Sequence, residues 1–169
     1  MGGAVTTTGR VATQAGSDCD SILFMNDYMP FPIPAVGAVV WQDDRILLIR
    51  RGHAPRKGSW SLPGGRQRRG ETVDEAAMRE IREETGVIIR VLDIAAVVDL
   101  IHRDADGAVE HHFTVVDVVA EWVSGEAIAG DDAAEVAWAT RDELEAYDLT
   151  PKMLEVIAIA AEKRARSGS

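Results

Sequence analysis

The first half of the chain alternates between short apolar runs and polar turns. "AVGAVVW" (35–41) and "RILLIRR" (45–51) have the length and composition of buried strands. Asp43 and Asp44 stand between them as a turn signal. "GHAPRKGSWSLPGG" (52–65) is rich in Gly, Pro and Ser and therefore predicts a loop.

The second half contains a similar group of apolar runs. "VIIRVLDIAAVVDLI" (87–101) predicts one or two strands, and "HHFTVVDVVAEW" (111–122) predicts a return strand. Asp106-Gly107 lies between them and is a typical hairpin turn pair. These runs predict further strands joined by a hairpin.

A helix is predicted between the two groups of strands. Thr72 followed three residues later by Glu75 is a capping box, which marks a helix N-terminus. Gly86 supplies the stop signal at the other end.

Two more helix starts are predicted near the end of the chain. Thr140 with Glu143 is a further capping box. Thr150 with Pro151 opens a terminal helix that we expect to reach about Lys163. Strands flanked by helices on both sides indicate an α/β layered domain.

The chain divides into a tail and one domain. Residues 1–18 are small and polar without periodicity, and "MPFPIP" (29–34) suits an extended lead-in. We therefore expect a flexible tail over residues 1–30 and a single domain over 31–169, because 169 residues suit one core.

Charge and cysteine content narrow the partners. The net charge is −10, which disfavours nucleic acid and anionic membrane surfaces. Cys19 is the only cysteine and fits a reducing cytoplasm, and no apolar run approaches membrane-span length. Basic residues nevertheless cluster within twenty positions, which suits a small anionic ligand as well as a solvated loop. They are Arg50, Arg51, Arg56, Lys57, Arg66, Arg68 and Arg69.

The predicted helix collects glutamates beside its apolar face. On a helical wheel Glu84, Glu80 and Glu83 fall about 20°, 60° and 120° from Ala77, at the centre of the core stripe that also holds Val73, Ile81 and Met78. Carboxylates crowded beside an apolar seam repel each other and resist burial. A bound divalent cation such as Mg²⁺ would offset both the repulsion and the cost of burial. The alternative is that nearby arginines pair with these glutamates.

The residues around these glutamates form a longer motif. The chain reads Gly65, five residues, Glu71, seven residues, Arg79-Glu80-Ile81, one residue, Glu83-Glu84, one residue, Gly86-Val87. At every position this resembles the signature box of the Nudix hydrolases, G-x5-E-x7-R-E-U-x-E-E-x-G-U, with U aliphatic. Seven fixed identities and two aliphatic positions make the match very specific, and a looser resemblance extends over about residues 35–163.

The resemblance implies an α/β/α sandwich with a mixed sheet and the hydrolysis of a nucleoside diphosphate linked to another moiety. Glu80, Glu83 and Glu84, with the carbonyl of Gly64, match the ligands of one or more Mg²⁺ or Mn²⁺ ions. Residues matching the structural support of the box are Gly65, Glu71, Arg79 and Gly86.

Two places in the chain offer a candidate for the general base. Some members of the family use a box glutamate, here Glu83, and others use an acid on a late loop. The stretch "GDDAAEVAW" (130–138) offers Glu135 and Asp132. Arg50, Arg51 and Arg66 are the candidates for binding substrate. Three histidines are either ordinary strand side chains or contacts to phosphate or ribose. They are His102, His111 and His112.

The resemblance narrows the substrate only in part. A proline that marks one subgroup of ADP-ribose pyrophosphatases about fifteen residues beyond the box is missing here, and so is a tyrosine typical of dinucleoside-polyphosphate hydrolases. An NDP-sugar or ADP-ribose-like substrate is favoured. The alternatives are a (d)NTP pyrophosphohydrolase and a non-catalytic nucleotide sensor. Family members are often homodimers, so a homodimer is expected.

Overall fold

The computed structural model describes residues 31–52, 56–130 and 133–167. The tail predicted over residues 1–30 lies outside the described residues. Seven strands, two α-helices and one 3-10 helix follow each other in the described chain. They are β1 (Ile33–Gln42), β2 (Arg45–Arg51), β3 (Trp60–Ser61), β4 (Gly64–Arg66), α1 (Val73–Thr85), β5 (Ile88–Arg103), β6 (Val109–Ser124), β7 (Ala133–Thr140), the 3-10 helix (Arg141–Tyr147) and α2 (Pro151–Ser167).

The strands form one mixed sheet. Its main path runs β3-β2-β1-β6-β5, with β4 paired to β1 and β7 paired to β2. β1 and β6 are parallel, and the other pairs are antiparallel. Because β1 is bordered by β6 on one side and by β2 and β4 on the other, it lies at the centre of the sheet and is buried almost throughout.

Each face of the sheet packs against one α-helix. Alternate residues of a strand point to opposite faces. Val39 of β1 accordingly joins a core cluster with Ile157 of α2, whereas Val40 joins a second cluster with Ile81 of α1. The sheet thus lies between two helical layers, which confirms the predicted α/β/α sandwich with a mixed sheet.

Several local features differ from the sequence prediction. The Gly- and Pro-rich segment predicted as a loop carries the two short strands β3 and β4. The acidic stretch near residue 135, predicted as a late loop, forms part of strand β7 beside β2. The terminal helix ends at Ser167, four residues beyond the expected Lys163. In each case backbone pairing or helix propagation overrides the local composition.

The two α-helices are short. α1 has 13 residues and α2 has 17, whereas a bilayer crossing needs about 20 apolar ones. Among the described residues, neither helix combines the length and the apolar character that a membrane crossing requires.

Candidate active site

A side-chain capping box fixes the start of α1 and a glycine backbone cap fixes its end, as the sequence predicts. The Thr72 hydroxyl accepts a hydrogen bond from the Glu75 amide at 3.2 Å, and the Glu75 carboxylate accepts one from the Thr72 amide at 2.8 Å. Gly86 is left-handed, with φ of 72°, and its amide donates to the Arg82 carbonyl. A Cβ disfavours that conformation, so glycine ends the helix cleanly.

The three helix glutamates differ in exposure in the predicted order. Glu84 is buried at 8% exposure, the Glu80 side chain is 16% exposed, and the Glu83 side chain is 42% exposed. The core stripe itself is shifted from the prediction, because Met78 is exposed and Ala76 is fully buried. The shift moves the apolar contact towards the glutamate side of the helix and brings Glu84 into the core margin.

Two glycines of β4 lie directly beside the carboxylates of α1. The Gly64 amide donates to Glu84 Oε2 at 2.8 Å. Gly64 has φ of 154°, and a Cβ there would lie 2.2 Å from the Val36 carbonyl oxygen. A Cβ on Gly65 would lie 2.5 Å from the carboxylate carbon of Glu80. Glycine at position 64 therefore lets β4 lie this close to β1, whereas a side chain at position 65 would displace the Glu80 carboxylate from its place beside β4.

Arg79 joins the loop before the helix to the helix glutamates. Its guanidinium donates to Glu71 at 2.5 and 2.8 Å and to the Arg66 carbonyl at 3.1 Å. The same group donates to Glu80 at 2.6 Å and to Glu83 at 3.1 Å. The hydrogen bond from Arg79 lowers the pKa of Glu71 to about 2, and the pKa of Arg79 is raised in turn, mainly by Glu71.

These contacts bear directly on whether the site suits a metal ion. Among the described residues, no three His, Cys, Asp or Glu side chains stand ready as a ligand cluster. Arg79 instead donates hydrogen bonds to Glu80 and Glu83, and the Gly64 amide donates one to Glu84. The donor chemistry still fits, because adjacent carboxylates are the hard oxygen ligands of Mg²⁺ and Mn²⁺, and Mg²⁺ usually keeps several waters in its shell.

Of the two candidate bases near the end of the chain, the structure describes only one. Asp132 lies outside the described residues. Glu135 lies on β7, where its side chain is 56% exposed and pairs with Arg50 at 3.2 Å. Arg50 also donates to the Gly58 carbonyl at 3.0 Å. The structure therefore brings a predicted base and a predicted substrate-binding residue together as an ion pair on neighbouring strands.

The other predicted binding residues border a cavity of about 440 Å³ on the α2 face of the sheet. Arg51 and Arg66 line it, and so does His102. The Arg66 guanidinium lies over the Phe113 ring at 5.7 Å. Gly64 and Gly65 line the same cavity, so β4 borders both the glutamates and this space.

Asp117, a titratable residue not among the predicted site residues, also lines this cavity. It is 7% exposed, and burial raises the pKa of its carboxyl to about 6. The signal was present in the sequence, since Asp117 interrupts a run of four valines in a predicted strand. Burying an acid without a hydrogen-bond or charge partner costs free energy, which makes such a position a candidate for a functional role.

Replacing Asp117 with Asn is expected to stabilise the protein at neutral pH. Native Asp117 keeps its proton up to about pH 6, whereas its ordinary pKa is 3.8. The native state therefore loses stability as the pH rises between these values, by about 3 kcal/mol in all. Thermal unfolding of Asp117→Asn at about pH 7.5 and about pH 4 should show a gain at the higher pH that largely disappears at the lower one. An equal gain at both pH values would contradict the assignment.

The fold and the glutamate helix define this chain as a Nudix-type domain. A family model of the NUDIX domain matches residues 32–158. The chain belongs to the Nudix hydrolase family, whose members generally use divalent metals.

Similar proteins agree with this assignment. An ADP-ribose pyrophosphatase of Methanocaldococcus jannaschii is 44% identical over 104 residues, which cover 62% of this chain and 59% of that protein. The match thus spans less than two thirds of the archaeal relative. A Nudix hydrolase structure from Nitrosomonas europaea has a TM-score of 0.66 and 23% identity, covering 78% of this chain and 90% of its own. A MutT Nudix hydrolase structure from Burkholderia pseudomallei has a TM-score of 0.61 and 34% identity, covering 79% and 98%.

Proposed function

We propose that the protein hydrolyses the phosphoanhydride of a nucleoside diphosphate linked to another group, with an ADP-ribose-like compound or NDP-sugar as substrate. The observation that carries the proposal is the complete box. Its three glutamates lie beside the glycine pair, and their exposure increases from Glu84 to Glu80 to Glu83. The name of the archaeal relative, ADP-ribose pyrophosphatase, supports this class of substrate.

Glu80, Glu83 and Glu84, with the carbonyl of Gly64, are the residues that would hold Mg²⁺ or Mn²⁺. When bound, the metal would screen phosphate charge and polarise the phosphorus centre. The support for this assignment is the shared edge of α1 and β4, where Gly64 and Glu84 are joined by a hydrogen bond.

Arg79 and Glu71 act as structural support in this proposal. Their ion pair fixes the loop before α1, and both side chains are at most 20% exposed. Arg79 also holds Glu80 and Glu83 against mutual repulsion in the absence of metal. Together with Gly65 and Gly86, they keep the carboxylates in place without touching the substrate.

Glu83 is our first candidate for the general base. It is the most exposed of the three box glutamates, which suits a group that must reach a water molecule. Glu135 and Asp132 are the alternatives. Glu135 pairs with Arg50, and this contact engages an oxygen of its carboxylate that a base would need to have available.

In the reaction, a water oxygen attacks one phosphorus and the bond to the bridging oxygen breaks. The attacking water passes a proton to the base, and the leaving phosphate takes the bridging oxygen. Arg51 and Arg66 line the adjoining cavity, and Arg50 lies on the same strand as Arg51. These cations suit the negative charge of the substrate phosphates.

The proposal is tested by incubating the full chain and Mg²⁺ with ADP-ribose, other NDP-sugars, dinucleotides and NTPs, and identifying the phosphate products. We expect AMP and ribose 5-phosphate from ADP-ribose. Pyrophosphate release from NTPs alone would favour the pyrophosphohydrolase alternative. Absence of any product with Mg²⁺ or Mn²⁺ would contradict an enzyme and favour a nucleotide sensor.

We further propose a cytoplasmic homodimer that binds small nucleotides rather than nucleic acid. The net charge of −10 and the single Cys19 support the ligand class and the compartment. β5 is the last strand on its side of the sheet path and exposes apolar side chains, which supports an interface there. These are Ile94, Val97, Leu100 and Ile101. Light scattering should give twice the chain mass of 18.3 kDa, and a monomer would exclude the dimer.

A further inference from the structure

The cavity beside the box has a mostly apolar floor with one acid in it. Its floor is one face of three neighbouring strands, where Val98 of β5, Val115 of β6 and Ala35 of β1 lie side by side. Asp117 is two residues from Val115 and therefore points to the same face. Met153 of α2 also lines the cavity.

The backbone around Asp117 leaves space for its carboxylate. Gly37 is its partner on β1, and a Cβ on Gly37 would lie 2.1 Å from Asp117 Oδ1. The carboxylate thus occupies the place where a side chain of β1 would otherwise lie. No described residue donates a hydrogen bond to it or pairs with it, and desolvation is the cause of its raised pKa.

The rim of the same cavity is basic. Arg51, Arg56, Arg66 and Lys152 line it. A ligand that fits this arrangement has anionic groups at the rim and hydrogen-bond donors on an apolar body that reaches the floor. A nucleotide has both, with its phosphates at one end and the donors of its ribose and base at the other.

We propose that Asp117 determines specificity by accepting a hydrogen bond from a donor on the nucleoside part of the substrate. This inference rests on the proposed function only in taking the ligand to be a nucleotide. An ionised carboxylate has acceptor sites only, so a ligand that lacks the donor leaves it buried and unpaired. That loss is larger than the gain from an ordinary hydrogen bond. The cost of burying Asp117 is then offset when the ligand is bound.

The donor is identified with pairs of nucleoside monophosphates that differ by one group. AMP against 2′-deoxy-AMP tests the ribose 2′-hydroxyl, AMP against purine riboside 5′-monophosphate tests the 6-amino group, and GMP against IMP tests the 2-amino group. Binding to the full chain is measured by calorimetry with Mg²⁺ present. None of these probes contains a phosphoanhydride, so binding is measured independently of hydrolysis.

We expect the wild type to prefer the donor-bearing member of at least one pair by about tenfold or more. Asp117→Ala should reduce that preference to within about threefold, and Asp117→Asn, which keeps a neutral acceptor, should be intermediate. Asp99→Ala is the matched control. Asp99 lies on β5, is exposed, and accepts a hydrogen bond from Thr114 at 2.8 Å rather than lining the cavity.

The inference is wrong if the wild type shows no preference in any pair, or if Asp117→Ala keeps the wild-type preference. It is also wrong if Asp99→Ala loses the preference as fully as Asp117→Ala does. Failure of the proposed function gives a different pattern, in which Asp117→Ala loses the preference although the wild type hydrolyses no substrate.

Discussion

Hydrolysis by the full chain is expected to fall by at least about a thousandfold when EDTA removes divalent metal, a loss of about 4 kcal/mol in transition-state stabilisation. The reason is electrostatic. Glu80, Glu83 and Glu84 share one side of α1, where Arg79 pairs with Glu80 and Glu83 and Arg68 pairs with Glu83. Without metal, carboxylates and substrate phosphates face each other with like charge. The rate is measured with the best substrate of the panel, in EDTA and then with excess Mg²⁺.

Two controls accompany this prediction: the recovery of activity and the preservation of the fold. Activity should return when Mg²⁺ is added in excess, and the circular dichroism spectrum should not change on chelation, because the helix caps and Arg79 contacts need no metal. Full turnover in EDTA would contradict the proposed mechanism. Loss of the fold in EDTA would instead assign the metal a structural role.

Glu84→Gln is expected to lower the chemical rate by at least about a hundredfold, or about 2.7 kcal/mol. Glu84 is the most buried box glutamate and accepts a hydrogen bond from the amide of Gly64, whose carbonyl is another proposed ligand. Glutamine keeps an oxygen that can accept the Gly64 amide hydrogen bond, so the fold should survive. What it loses is the negative charge that a metal ligand supplies. The single-turnover rate at saturating Mg²⁺ measures the effect.

Glu75→Gln is the matched control on the same helix. Glu75 belongs to the capping box and accepts hydrogen bonds from the amide and hydroxyl of Thr72, which lower its pKa. The variant should lose a little thermal stability and keep a nearly normal rate. If it lost as much activity as Glu84→Gln, the glutamate side of α1 would have no special role.

The fold was predictable where strong local signals coincide with global structure. Thr72 and Gly86 bounded α1 correctly, and the apolar runs gave the central strands. The position of β7 was not predictable, because its acidic sequence resembles a loop and only pairing with β2 makes it a strand. Such non-local pairing leaves no trace in a short window of sequence.

The sequence predicted the helix positions of the candidate glutamates but not all of their contacts. The box motif predicted the Glu71–Arg79 pair, which the structure contains, and proposed Glu80, Glu83 and Glu84 as metal ligands. It did not indicate that Arg79 reaches Glu80 and Glu83 as well, because that contact depends on how the loop folds over the helix. Asp117 was missed for a similar reason, since its environment is formed by three separate strands and α2.

In the proposed site, the glutamates of α1 hold the divalent ion. The most direct test counts bound Mn²⁺ by electron paramagnetic resonance in the wild type, Glu84→Gln and Glu75→Gln, without nucleotide. We expect equal affinities for the wild type and Glu75→Gln, and an affinity at least about tenfold weaker for Glu84→Gln, because a ligand is lost. Mn²⁺ affinity unchanged in Glu84→Gln would contradict the claim.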